Sequence, residues 1–308
     1  MVVGKDSVFL FEYATCADES LPPGTAVEGL GMFKTLYSGF ENPVSFYNSS
    51  NYLDVFKEYL ETAEYTLAVA PETGMELHRL TKLVEKSDSR NLGCSAESVR
   101  LSSDKLLTYA KLKDLSPKTE LFNRGMKLDF PLVAKPCCGV SCDGVMLVEN
   151  EDDLRCVPKD FLLQEYVSGR PMSASLLIGD EVRVLSINSQ EMDGFNYTGA
   201  KLPLQIVDVE PIIEAVQRVP GLFGYVGVDF ILGDDGPRII EINPRPTTPI
   251  IGLNLALDIN ISELILNNCR GENMPDFKPK KQVFVKKTRS EQGYVSSGGS
   301  SIVVEEIL

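Results

Sequence analysis

Gly227-Val228-Asp229-Phe230-Ile231-Leu232-Gly233-Asp234-Asp235-Gly236-Pro237-Arg238-Ile239-Ile240-Glu241-Ile242-Asn243-Pro244-Arg245-Pro246 contains two apolar runs joined by a Gly-Asp-Asp-Gly turn. Such a pattern predicts two strands folded back antiparallel. Side chains alternate faces along a strand, so Glu241 and Asn243 point the same way. Asp229 lies across the hairpin from them, at about the same distance from the turn. Two carboxylates and an amide oxygen then share one face, with Val228, Phe230, Ile240 and Ile242 on the other. Hard oxygen ligands in that arrangement suit Mg²⁺ or Mn²⁺, above all an ion that also holds phosphate oxygens. Taken alone, the segment also fits a half-exposed hairpin with an acidic outer face.

Bulk properties narrow the setting. A chain of 308 residues, 43% hydrophobic and 24% charged, has the composition of an ordinary globular protein with two or three lobes. A formal charge of -14 argues against a general nucleic-acid or anionic-membrane binder, so an anionic substrate must be met by locally placed Lys and Arg. No apolar run approaches the ~20 residues of a membrane span, and Val8-Phe11 is too short for a signal-peptide core. Seven cysteines without Cys-x-x-Cys pairs fit a reducing cytoplasm, the expected location. His78 is the single histidine, which removes most His-based chemistry.

Upstream, residues 7–13, 44–47 and 65–70 read as strands, separated by helical spacing over Ala26-Phe40 and Leu53-Leu60, with a helix from Met75 to Lys86. This order predicts a small parallel sheet whose carboxyl-end loops, Glu12-Tyr13 through Glu28 and Pro71-Glu72-Thr73, carry ligand groups. Gly29-x-Gly31 lacks the third glycine and the ribose acid of a dinucleotide fingerprint, which weakens an NAD-dependent reading. Ser102-Ser103-Asp104 caps a helix bearing Lys105 in its first turn. Lys135 closes the apolar strand 131–136, and a loop of small residues, 137–144, follows it. A charge at a buried strand end needs an anionic partner, and backbone amides of such a loop can close on phosphate. Gln164-Glu165-Tyr166-Val167 ends another apolar strand whose backbone could read adenine's polar edge. Cys137, Cys138 and Cys142 lack a fourth ligand for a soft metal and read as small loop residues. Residues 173–178 and 182–188 form a hairpin, 212–219 and 261–268 are helical, and Ser/Gly-rich 296–301 reads as linker before a strand at 302–308.

In this order, Lys105, Lys135 with its loop, the 164–167 segment, Asp229, Glu241 and Asn243-x-Arg245 resemble the ATP-grasp superfamily of carboxylate–amine ligases. The resemblance implies an α/β (α+β) chain: an ATP-grasp fold of two α+β subdomains, preceded by a small parallel-sheet, Rossmann-like pre-ATP-grasp domain. The expected divisions are 1–97, 98–164 and 165–308. It also implies that Lys105 and Lys135 hold ATP phosphates under the 137–144 loop, with Gly139, Ser141 and Gly144 contributing. Gln164, Glu165, Tyr166 and Val167 would bind adenine. Asp229, Glu241 and Asn243 would ligate two Mg²⁺ or Mn²⁺ ions, and Arg245, with Lys135, would stabilise the reacting centre. Pro171 stands where many members carry a ribose-binding glutamate, and Gly227 where D-alanine-type ligases carry an arginine.

Phe11-Glu12-Tyr13, Glu28-Gly29 with Met32, Ala70-Pro71-Glu72-Thr73, Ser103-Asp104-Lys105 and Tyr197-x-Gly199 with Pro203 are similar to an archaeal ATP-grasp group of methanofuran biosynthesis. That similarity implies γ-glutamyltyramine formation from ATP, L-glutamate and tyramine. The expected partners are thus small amino-acid and amine substrates, without nucleic acid or membrane, with a homodimer as the candidate assembly. Ligases for another amino-acid/amine pair and a catalytically inactive nucleotide-binding protein fit the same motifs.

Overall fold

Val8–Glu12 is a strand because five residues with no polar side chain before Glu12 can be buried on both faces of a parallel sheet. It pairs in parallel with Pro43–Val44 on one side and Tyr65–Val69 on the other, and Arg90–Asn91 completes the sheet. The computed structural model describes residues 6–123, 129–137, 144–205 and 208–307. Glu12 pairs with Val69, so the loops carrying Glu12 and Glu72 leave the same end of this sheet. Helices Pro23–Gly39, Tyr52–Leu60 and Glu76–Val84 alternate with its strands.

Three antiparallel sheets follow. The first runs in the order Thr119–Leu121, Phe161–Glu165, Leu132–Pro136, Met146–Val148, and packs over a small core of Phe122, Leu132, Ala134, Val148, Val157 and Leu163. The second has the order Val182–Ser189, Arg170–Ile178, Gly224–Gly233, Gly236–Asn243 and contains the 227–246 hairpin. One continuous apolar cluster joins its buried face, including Met172, Val226 and Phe230, to Phe9, Phe11 and Phe56 of the N-terminal sheet. The 119–165 sheet therefore has its own core, whereas the other two are welded together. An α/β assembly of this kind, with a parallel sheet at the N-terminus and antiparallel sheets after it, is the expected fold class.

The helix read from 102–105 is two helices. Ala96–Ser103 is capped by Ser95, and Lys105–Leu112 by Asp104, whose carboxylate accepts from the amides of Leu106 at 2.9 Å and Leu107 at 3.1 Å. Ser102 and Ser103 thus end the first helix, and Asp104 alone caps the second.

The largest departure from the sequence reading lies at the C-terminus. Strands Gln282–Thr288 and Ser300–Ile307 form the middle of a five-stranded sheet, with Asn196–Leu202 and Glu191–Asp193 on one flank and Val295–Ser297 on the other. Ser297 pairs with Ser300 across Gly298 and Gly299, at φ of 57° and 79°. The Ser/Gly run expected to be a linker is thus a tight hairpin, whose two central residues both need positive φ. Helix Ile250–Leu257, to which the sequence reading assigns no element, packs in the same core as this sheet and is apolar except for Asn254. Among the described residues no single helix is long and apolar enough to cross a membrane.

Val283, Val285 and Ile302 are fully buried in that core. Burying each such side chain contributes about 1.5–3 kcal/mol, so together they are comparable with a net stability of about 5–15 kcal/mol. A chain ending at Pro279 should therefore fail to unfold cooperatively in urea; a sharp transition like that of the full chain would show the tail to be dispensable.

Candidate active site

The hairpin Gly224–Gly233/Gly236–Asn243 does not keep one register. Near the turn, Gly233 pairs with Gly236, Ile231 with Arg238 and Phe230 with Ile239; beyond a shift, Asp229 pairs with Glu241 and Gly227 with Asn243. Ile240 is the extra residue of a β-bulge. Without it, Asp229 would face Ile240, and Glu241 and Asn243 would point to the opposite face. The bulge also corrects one expectation: Ile239, buried, takes the place on the apolar face assigned to Ile240, which is only partly covered.

On the polar face, Asn243 Nδ2 donates to Asp229 Oδ2 at 3.1 Å, and Gln190 Nε2 donates to Asp229 Oδ1 at 2.8 Å. These bonds fix the carboxylate's orientation and leave the Asn243 amide oxygen out of them. Lys105 Nζ lies 3.4 Å from Glu241 Oε1. Burial, and then the facing Glu241 carboxylate, push the Asp229 carboxyl up from 3.8 to about 7, outweighing the Asn243, Arg245 and Gln190 contributions. Two like charges held together at a partly buried place, with hard oxygen donors only, fit a divalent cation. Among the described residues no group of three or more His, Cys, Asp or Glu side chains could hold a metal ion, so the candidate set here is two carboxylates with the Asn243 amide.

Lys135 is buried, and its Nζ donates to Gln164 Oε1 at 2.9 Å. Gln164 Nε2 in turn donates to Thr119 Oγ1 at 2.8 Å. Gln164 therefore positions the lysine, while its strand stops at Glu165 and leaves Tyr166 and Val167 beyond it. The amide of Glu165 donates to Lys118 O at 2.8 Å and that of Tyr166 to Pro131 O at 3.4 Å. The backbone amide of Lys105 donates to Cys137 O at 3.1 Å, so the helix with one lysine begins where the strand with the other ends. Gly144, at φ 75°, closes the small-residue loop against Pro136 and Phe161. Cys138, Gly139, Ser141 and Cys142 lie outside the described residues.

Arg245 makes a two-pronged ion pair with Glu72: Nε to Oε1 and Nη2 to Oε2, both 2.9 Å. Burial works against the Arg245 charge, but Glu72, Glu241 and Asp229 together outweigh it and hold the guanidinium protonated. Glu72 follows strand Tyr65–Val69, so the N-terminal sheet positions a residue of the hairpin. Glu12 is buried on the same side, accepting from Ala14 N at 3.0 Å, Thr15 N at 2.9 Å and Thr15 Oγ1 at 2.7 Å. Burial pushes its carboxyl up to about 7, against those bonds and the nearby Arg245 charge. Gly29 has no side chain because a Cβ there would strike the Glu12 carboxylate. The place of Gly227 is filled from the other side: a Cβ on it would lie 2.5 Å from Thr247 Cγ2.

Glu72, as the partner of Arg245, and Gln190 escaped the site list drawn from sequence. The first stood in a loop expected to carry ligands; the second had no signal at all.

Two domain families match the chain: the ATP-grasp domain (ATP-grasp_3) over residues 102–249 and the pre ATP-grasp 3 domain over 34–99. The chain belongs to the ATP-grasp family and is a ligase of the C–N bond-forming type. Enzymes of this family use ATP with a divalent cation such as Mg²⁺. Within the family, it is 36% identical over 233 residues to the tyramine–L-glutamate ligase of Methanocaldococcus jannaschii, covering 73% of this chain and 68% of that protein. It is 32% identical over 300 residues to the protein of the same name from Methanocaldococcus fervens, covering 87% and 95%. The solved structure of an ATP-grasp superfamily protein from Archaeoglobus fulgidus matches with a TM-score of 0.82 at 33% identity, over 98% of this chain and 99% of that one.

Two outcomes follow from the geometry. The folded chain holds the Asp229 proton up to about 7, so this group's contribution to stability is full below 3.8 and is lost as the pH rises to about 7. Metal-free protein should melt lower at about pH 8 than at about pH 5.5, and Mg²⁺ should raise the melting temperature mainly at the higher pH; equal effects at both would contradict the paired carboxylates. Glu72→Ala strands a buried guanidinium and should cost about 3–5 kcal/mol in a urea titration; a change below about 1 kcal/mol would mean that Arg245 finds another partner.

Proposed function

We propose that the protein joins a carboxylate to an amine through an acyl phosphate, releasing ADP and phosphate, and that its substrates are L-glutamate and tyramine. The product would be γ-glutamyltyramine, a step in methanofuran biosynthesis. The observation that carries the chemistry is the bulged hairpin: it turns Asp229, Glu241 and Asn243 to one face within reach of Lys105 and Arg245. Similarity to two tyramine–L-glutamate ligases over most of the chain supports the substrates.

In this reading Lys105 and Lys135 neutralise ATP phosphates, and residues 137–144 cover them, with Gly139, Ser141 and Gly144 supplying amides. Gln164 holds Lys135, and the Glu165–Val167 backbone faces adenine beside Tyr166. Asp229, Glu241 and Asn243 would hold Mg²⁺ or Mn²⁺, which supplies charge neutralisation at the phosphates. Arg245, oriented by Glu72, stabilises charge as the carboxylate oxygen attacks the γ-phosphorus and again as the amine displaces phosphate. No protein nucleophile is needed; catalysis is positioning and charge. With a division at 1–97, 98–164 and 165–308, the cleft would lie between the small sheet with its separate core and the hairpin sheet.

ADP release should require L-glutamate and tyramine together. Glu241→Gln should lower kcat/KM by about 10²–10³-fold; near-normal ADP release from that variant would remove the metal assignment, and ADP release independent of the amine would remove the ligase reading.

A further inference from the structure

Tyr197 sits in strand Asn196–Leu202, next to a second bulge in the same strand. Glu191 pairs with Gly199 and Met192 with Tyr197, so Thr198 is the extra residue. The bulge turns the Tyr197 ring inward, against the apolar cluster of the C-terminal sheet. Its hydroxyl is buried without a hydrogen-bond partner, one of two such side-chain atoms among the described residues. Tyr225, buried nearby, is satisfied: its hydroxyl lies 2.7 Å from Ser175 Oγ. A buried phenol left unpaired in a folded chain calls for a partner that arrives later.

The surroundings define that partner. Lys287 Nζ lies 5.7 Å from the centre of the Tyr197 ring and 2.6 Å from Glu28 Oε1. Glu28 Oε2 accepts from Thr248 Oγ1 at 2.5 Å. Burial, and after it the Glu28 and Asp229 carboxylates, keep the Tyr197 hydroxyl protonated. Thr248 is three residues beyond Arg245, so the cluster adjoins the reacting end of the site. Helix Pro23–Gly39, strand Gln282–Thr288 and the segment after the hairpin each contribute one charged or polar group.

We propose that Glu28, Lys287 and Tyr197 form the head-group subsite for an α-amino acid that reacts through its side-chain carboxylate. This rests on the ligase reading and names the class of its carboxylate donor. Glu28 and Lys287 neutralise each other when no substrate is bound. A zwitterion carries the same two charges: its α-ammonium takes Glu28, and its α-carboxylate takes Lys287 and the Tyr197 hydroxyl. The exchange keeps the local charge balanced and completes the phenol's missing hydrogen bond. The side chain of the amino acid is then free to reach toward Arg245.

The test uses the full chain with saturating ATP and tyramine, measuring ADP release against L-glutamate, glutarate (no α-ammonium) and 4-aminobutyrate (no α-carboxylate). The wild type should prefer L-glutamate to both analogues. Tyr197→Phe removes a hydroxyl that has no partner, so its melting temperature should be unchanged or higher. Its KM for L-glutamate should rise roughly 10- to 100-fold, the loss of one hydrogen bond to a charged group, with the KM for 4-aminobutyrate and for ATP unchanged. Lys287→Met should show the same selectivity, and Glu28→Gln should weaken L-glutamate but not glutarate. An active wild type whose Tyr197→Phe and Lys287→Met variants keep their KM for L-glutamate, or lose L-glutamate and 4-aminobutyrate equally, overturns the subsite. If the wild type releases ADP only with carboxylates that lack an α-amino group, the subsite is also wrong while the ligase reading stands. No amine-dependent ADP release from any donor would instead show the ligase reading itself to have failed.

Discussion

Asp229 and Glu241 are held opposite each other by one extra residue in the strand between them, Ile240. Everything else at the site answers to that constraint. A regular hairpin would bury one set of side chains and expose the other, with the two carboxylates on different faces. The bulge instead makes like charges share a partly buried place, a state that folding alone disfavours. Gln190 and Asn243 hold Asp229 with neutral amides, Lys105 reaches Glu241, and the Arg245 charge lies within range of both. In the proposed reading, a divalent cation and phosphate would offset the cost of bringing these oxygens together.

The parts that meet there differ in how firmly they are tied. The N-terminal parallel sheet shares a continuous core with the hairpin sheet, and the Glu72–Arg245 pair crosses the same junction. Arg245 therefore has a fixed frame. Lys135 belongs to a sheet with a small core of its own, joined to the rest partly through the Lys105–Cys137 backbone bond. One half that presents Asp229, Glu241 and Asn243 and a separately packed half that presents Lys135 are, in the proposed reading, the two sides of a nucleotide cleft.

Much of this was legible from residue order. Alternation in 227–246 marked the hairpin, and the apolar strand ending in Lys135 marked the other wall. The bulge itself left one trace, the Ile239-Ile240 doublet that breaks alternation, and counting from the turn passed over it. Pairs such as Glu72 with Arg245, Gln190 with Asp229 and Glu28 with Lys287 left none, because periodicity reports on neighbours along the chain and not on contacts across it. Helix Ile250–Leu257 gives no helical period in the sequence because its residues are apolar except Asn254, and even its exposed position is a leucine, Leu255. The Gly298-Gly299 turn was mistaken for linker because the same residues serve flexible chains and tight hairpins alike.

In the proposed reaction the carboxylate oxygen attacks the γ-phosphoryl group at this site and leaves with it. L-glutamate labelled with ¹⁸O in its γ-carboxylate, incubated with ATP, tyramine and the protein, tests it directly by mass spectrometry of the phosphate formed. One labelled oxygen should appear in phosphate for each amide bond made. Unlabelled phosphate accompanying the amide, or AMP and pyrophosphate in place of ADP, would contradict it.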